Sequence, residues 1–146
     1  MNPHTLEVRG HRDRWAITAE PYPGGRLLIL NRDGWAIRVA FDGSAPANAM
    51  IRKPGQDDFA HLDRRRISQY VRGDRAAMAA FSIGDRVVIT DRVGTVLDIE
   101  VEPGSPTKAN AVRLRVGYDD GGEAEPYTRL ALAYDPNTYD PLTALF

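Results

Sequence analysis

The stretch from Phe81 to Val101 constrains this chain most: Phe-Ser-Ile-Gly-Asp-Arg-Val-Val-Ile-Thr-Asp-Arg-Val-Gly-Thr-Val-Leu-Asp-Ile-Glu-Val. Val87 and Ile89 alternate with Arg86, Val88 and Thr90, the two-residue period of a half-buried strand. Asp91-Arg92 reads as a turn. A second alternation follows, with Thr95, Leu97, Ile99 and Val101 on one face and Val96, Asp98 and Glu100 on the other. Gly94 stands where the chain re-enters a strand. A glycine there marks a bulge or a close backbone approach, because a Cβ would clash or forbid the dihedrals.

The next fifty residues continue the pattern. Ala111 to Tyr118 reads as a strand, Asp119-Asp120-Gly121-Gly122 as a turn, Glu123 to Tyr127 as a segment pairing back, and Thr128 to Ala133 as a closing strand. Gly84-Asp85-Arg86-Val87-Val88-Ile89, a short turn and Val93-Gly94-Thr95-Val96 together resemble the KOW motif of small SH3-like barrels. The resemblance covers residues 82–133, about a third of the chain, and implies an SH3-like barrel there. Modules of this kind occur in ribosomal proteins, transcription factors, chromatin proteins and phage connector proteins. The resemblance therefore implies binding without choosing a ligand.

Upstream, Thr5 to Arg9 reads as a first short strand and Trp15 to Ala19 as a second, ending at the turn cluster Pro21-Tyr22-Pro23-Gly24-Gly25. Arg26 to Leu30 and Trp35 to Phe41 flank Asn31-Arg32-Asp33-Gly34. Asp-Gly between two β-rich runs is a hairpin signal. Trp35, Ile37, Val39 and Phe41 share one face, and the unbroken run Leu27 to Leu30 predicts burial on both sides. Residues 42–55, rich in Gly, Pro, Ala and Asn, read as a long loop. From Asp57 the period turns helical, with Phe59, Leu62, Ile67, Tyr70 and Val71 on one face. Gly73-Asp74 then predicts a stop and a new cap before a short helix from Arg75 to Phe81. The expected fold is mainly β (α+β): an antiparallel β-meander over 1–56, a helical connector over 57–81, an SH3-like barrel over 82–133 and an extended tail over 134–146.

The 146 residues suffice for one domain or two very small ones. Without cysteine, disulfides, zinc–thiolate sites and thiol catalysis are excluded together. No apolar run approaches the length of a spanning helix, and the first residues lack a signal-peptide pattern. The expected location is the cytoplasm, or a virion assembled there, with no membrane contact. The net charge of −1 hides an asymmetry: residues 1–80 carry 13 basic and 9 acidic side chains, residues 81–146 carry 6 and 11. Only Lys53 and Lys108 of the 19 basic residues are lysines, an arginine excess that fits a GC-rich genome such as that of an actinobacterium or its phage.

No enzyme constellation emerges. Ser44, Ser68, Ser82 and Ser105 lack a nucleophile-elbow pattern. Gly24-Gly25 and Gly121-Gly122 read as turns rather than phosphate loops. His61 with Asp57, at helical spacing, supplies only two of the ligands a metal needs. No cofactor or metal is expected.

The tail repeats Tyr-Asp-Pro five residues apart and ends in apolar residues. Tyr134, Tyr139, Leu142, Leu145 and Phe146 are the candidate partner-binding residues, either folding back on the N-terminal sheet or docking on another subunit. The expected function is that of a non-enzymatic interaction protein, a structural or adaptor subunit of a larger assembly, with a phage protein as one concrete version. Its partner would be another protein or a second copy. The alternative is a KOW-type nucleic-acid or ribonucleoprotein binder, with Arg64, Arg65, Arg66, Arg113 and Arg115 on phosphates. Asp57, Asp58, Asp63 and Asp74 weigh against it by nearly cancelling the charge of the first segment.

Overall fold

Asp33 and Gly34 both take positive φ, 50° and 85°. That is the two-residue hairpin turn whose twist suits antiparallel strands, and it joins β2 (Gly25–Arg32) to β3 (Trp35–Asp42). The computed structural model describes residues 1–137. The hairpin is the centre of a five-stranded antiparallel sheet, completed by β1 (Ala16–Tyr22), β4 (Ala45–Arg52) and β5 (Ala60–His61) in chain order. In β2 only the Leu28 and Leu30 side faces the core. Leu27 and Ile29 are half-buried, so the expected burial on both sides is not found.

Three N-terminal expectations are corrected. Thr5 to Arg9 lies in helix α1 (Pro3–Arg12), not a strand. Asn2 caps it by accepting from Thr5 N–H at 2.8 Å, and Pro3 occupies its first turn. Residues 42–55 are not a loop, because most of them form β4. That strand is exposed along its first half and buries only Ala49 and Ile51, which is why its small, polar composition reads as a connection. The helix expected from Asp57 begins only at residue 64. Before it, β5 pairs with β4 and Leu62 N–H donates to Ala49 O. Phe59 lies under the guanidinium groups of Arg38 and Arg52, at 4.1 and 5.0 Å. Asp63 caps a single 3-10 turn, Arg64–Arg66, which leads into α2 (Ile67–Val71). The short helix after Gly73-Asp74 is present as α3 (Arg75–Ala80), with Asp74 capping it through Ala77 N–H.

The second sheet is also antiparallel. It contains β6 (Arg86–Ile89), β7 (Arg92–Val101), β8 (Val112–Tyr118), β9 (Glu123–Ala124) and β10 (Ala131–Ala133), in the order β10-β6-β7-β8-β9. It is open, with β9 and β10 at its two edges. Gly94 marks the close approach rather than a bulge: a Cβ there would fall 2.6 Å from Val116 Cγ1 and 2.7 Å from Gly117 O. The bulge lies three residues on, between Val96 and Asp98. It reverses the alternation, so Val96, Ile99 and Val101 are buried while Leu97 is exposed. The expected face of Thr95, Leu97, Ile99 and Val101 therefore holds only beyond the bulge.

One buried cluster spans both sheets and the helices between them. Leu28, Trp35 and Phe41 come from the first sheet, Ile67, Tyr70 and Met78 from the helices, and Val87, Ile99 and Leu114 from the second. The two indoles fasten the sheet to the connector. Trp15 Nε1 donates to Val71 O and Trp35 Nε1 to Met78 O, each at 3.0 Å. Ile83 N–H donates to Pro54 O at 2.7 Å, a direct backbone link between the halves. Among the described residues no helix is long and apolar enough to cross a membrane.

Candidate functional site

Where the halves meet, charges from the basic half find charges from the acidic one. Lys53, at the end of β4 and nearly buried, donates to Asp98 at 2.8 Å and lies 3.5 Å from Glu100. Arg66 reaches Glu100 at 2.8 Å, and the Tyr70 hydroxyl donates to the same carboxylate at 3.0 Å. Burial pushes the Tyr70 hydroxyl above the ordinary phenol range, and the neighbouring Glu100 charge adds to the effect. Burial also pushes Glu100 up, but the Arg66 hydrogen bond, the Lys53 charge and the Tyr70 hydroxyl outweigh it. The carboxyl sits below its ordinary range. The charge asymmetry along the sequence is thus partly complementarity across a fold junction.

The five arginines singled out for phosphate contact are all engaged within the protein. Arg64 donates to Pro46 O at 3.1 Å. Arg65 holds Asp63 with two guanidinium nitrogens, at 3.1 and 2.8 Å, and this exposed pair drives Asp63 well below the usual carboxylate range. Arg66 pairs with Glu100 as above. Arg113 pairs with Glu102 and donates to Tyr127 Oη at 2.8 Å and Glu125 O at 3.0 Å. Arg115 lies 3.6 Å from Glu123. The fold does bring Arg66, Arg113 and Arg115 to one cavity of about 180 Å³, but Glu100, Glu102 and Glu125 line it too. Its charge is balanced.

Of the candidate partner-binding residues, Tyr134 is half-buried directly after β10. Its N–H donates to Arg86 O at 2.9 Å and its ring lies 5.7 Å from the Arg86 guanidinium. Tyr139, Leu142, Leu145 and Phe146 lie outside the described residues. Beside Tyr134, β10 is an edge strand paired with β6, and the most exposed large apolar side chains of the described residues lie on it and just before it: Leu132, in the strand, is 70% exposed, and Leu130, at the end of the 3-10 turn Thr128–Leu130 that leads into it, is 56% exposed. Neither was singled out in the sequence, where Leu130 and Leu132 read as part of a closing strand.

A third region went unread. Arg9 and Arg12 on α1, Asp13 just after it, and Arg72 and Lys108 from two later segments line a cavity of about 400 Å³. Its signal in the sequence is the basic run Arg9-Gly10-His11-Arg12-Asp13-Arg14. That run concentrates charge at one place only when it ends a helix, and the expected element was a strand over Thr5 to Arg9 that stops where the run begins. Asp57 lies before β5 and His61 within it, so the helical spacing that would have made them co-ligands is not formed. Among the described residues no group of three or more His, Asp or Glu is arranged to hold a metal. No protein family, curated protein or solved structure matches the chain.

Proposed function

We propose that the chain is a non-enzymatic interaction protein, a structural or adaptor subunit that docks another protein or a second copy of itself along the β10 edge. The observation that carries this reading is the exposure of Leu132 on that edge strand and of Leu130 in the turn that leads into it. Open edges are usually blunted by charge, proline or a covering segment, because their free N–H and C=O groups recruit other strands. Here the short edge strand exposes Leu132 instead, with Leu130 exposed immediately before it. The apolar character continues by sequence through Tyr139, Leu142, Leu145 and Phe146, and aromatic anchors of this kind commonly dominate interface energy.

The SH3-like reading of residues 82–133 is part of the same proposal. It is supported by a first strand that the last strand joins, β6 with β10, and by the acidic Asp119-Asp120-Gly121 turn after β8. In this reading the subunit works in the cytoplasm or in a particle assembled there, phage capsids and tails included. Nucleic-acid contact through Arg64, Arg65, Arg66, Arg113 and Arg115 is the weaker alternative, because those side chains would first have to leave the partners described above.

Light scattering at low and moderate salt tests the docking edge. The full chain should self-associate at both salt concentrations, and a Leu130→Glu/Leu132→Glu variant should be monomeric with an unchanged melting temperature. A monomeric full chain that loses thermal stability when it is ended at Ala133 would assign the tail to the protein's own core and overturn the reading.

A further inference from the structure

We infer that the cavity between the C-terminal end of α1 and the 105–109 loop is an anion site that takes a phosphate group. The argument starts from which cations the protein uses itself. Of the 19 basic residues, three have side chains that make no hydrogen bond, ion pair or ring contact among the described residues: Arg12, Arg14 and Lys108. Arg12 and Lys108 line the same cavity, although they are almost a hundred residues apart in sequence. Arg14 stands two residues beyond the end of α1, after Asp13, in the left-handed region at φ 63°.

The other two cations of the cavity are fixed by the fold. Arg9 is half-buried and donates to Ser68 Oγ at 2.9 Å, which ties α1 to α2. Arg72 donates to the carbonyls of Ser105 and Pro106 at 2.9 Å and reaches that of Lys108 at 3.5 Å. Those contacts gather the 105–109 loop around one guanidinium and set the position of Lys108. The base of the loop is held as firmly: Asn110 N–H donates to Arg72 O and Asp74 N–H to Asn110 O, both at 2.9 Å. The wall is therefore built before any ligand arrives.

Four cations face one carboxylate, Asp13, across about 400 Å³. Like charges brought together without a counter-charge repel, and the arrangement is relieved when an anion enters. The α1 macrodipole accounts for part of it, since Arg9, His11 and Arg12 lie in the last turn, where cations are favourable. It does not account for Lys108, which belongs to another segment. A phosphate fits better than a carboxylate because guanidinium and ammonium groups from several directions match its three or more acceptor oxygens.

Calorimetric titration of the full chain with inorganic pyrophosphate, and anisotropy with a labelled single-stranded oligonucleotide, both at about 50 mM salt, test the site. Arg12→Glu and Lys108→Glu should each weaken binding about tenfold or more, with unchanged melting temperatures because neither side chain has a partner among the described residues. Asp13→Asn should strengthen it, and Arg64→Glu/Arg65→Glu, outside the cavity, should leave it unchanged. A pyrophosphate response in this pattern assigns a free phosphate ligand. The same pattern with the oligonucleotide alone assigns the phosphates of a nucleic-acid strand, and either supports the site. No saturable binding of either probe, or binding lost equally in the Arg64/Arg65 variant, would overturn it. The β10 edge plays no part in these readouts.

Discussion

At the junction of the two sheets, Lys53 and Arg66 meet Asp98 and Glu100 within hydrogen-bonding reach; at the end of α1, Arg12 and Lys108 share a cavity, and their side chains meet no partner among the described residues. Both regions are made by segments distant in sequence. The junction uses its charges as part of the fold, over a shared apolar cluster in which Trp35 and Tyr70 pack with ring centroids 5.9 Å apart. The corner leaves its charges outward. The difference separates cations that hold the chain together from cations available to something else, which a count of arginines along the sequence cannot do.

The largest expected effect tests whether the junction really makes one cooperative unit. Trp35 is 1% exposed and donates to Met78 O across the sheet–helix boundary. Trp35→Ala should cost roughly 3–5 kcal/mol. Because the buried cluster is continuous, both sheets should still melt in a single transition by far- and near-ultraviolet circular dichroism. Two separated transitions would show that the halves are independent and would remove the contrast at its root.

Glu100 is the next lever, and pH supplies the sign. Its carboxyl sits below the ordinary value of 4.5 in the folded protein, so its charged form stabilises the fold. That contribution is fully present above about pH 4.5 and is lost as the pH falls through the lower folded value. Glu100→Gln should cost about 1–2 kcal/mol at neutral pH, discounted because the side chain is partly exposed. The gap in melting temperature between the two proteins should narrow as the pH is lowered below 4.5. A gap that stays constant down to acid pH would assign the loss to packing rather than to the ion network.

How far all this was legible depends on whether the signal was local. Asp33-Gly34, Gly73-Asp74 and the strands around Gly94 carry their instructions within a few residues, and the structure follows them. Asn2-Pro3 carried a helix start just as plainly, but the short apolar spacing from Thr5 to Arg9 suits a strand as well as a helix. β4 was hidden for the opposite reason: its neighbours β3 and β5 make it a strand, and its own residues are small and mostly exposed. The bulge beside Leu97 reversed a face that the alternation alone had assigned. Among site residues, Tyr134 and the five arginines were visible as residue types. Whether each arginine was engaged depended on contacts from 2 residues away, as Arg65 to Asp63, to 34 residues away, as Arg66 to Glu100. The α1 corner needs Arg72, Lys108 and the helix end brought together, and no window of sequence contains all three.

The smallest expected effect bears hardest on the comparison. If the corner cations are free, then Arg12→Ala with Lys108→Ala should change stability by no more than about 0.5 kcal/mol, read as the midpoint of a urea titration at low salt. The direction should be neutral or slightly stabilising, because removing two of four facing cations relieves repulsion. Raising the salt should erase even that gain, since exposed charges are screened over about 10 Å at 0.1 M. A loss of more than about 1 kcal/mol, the size of an ordinary net hydrogen bond, would mean that these side chains have internal partners in solution. The corner would then be a second junction, and its charges would be committed to the fold rather than open to a ligand.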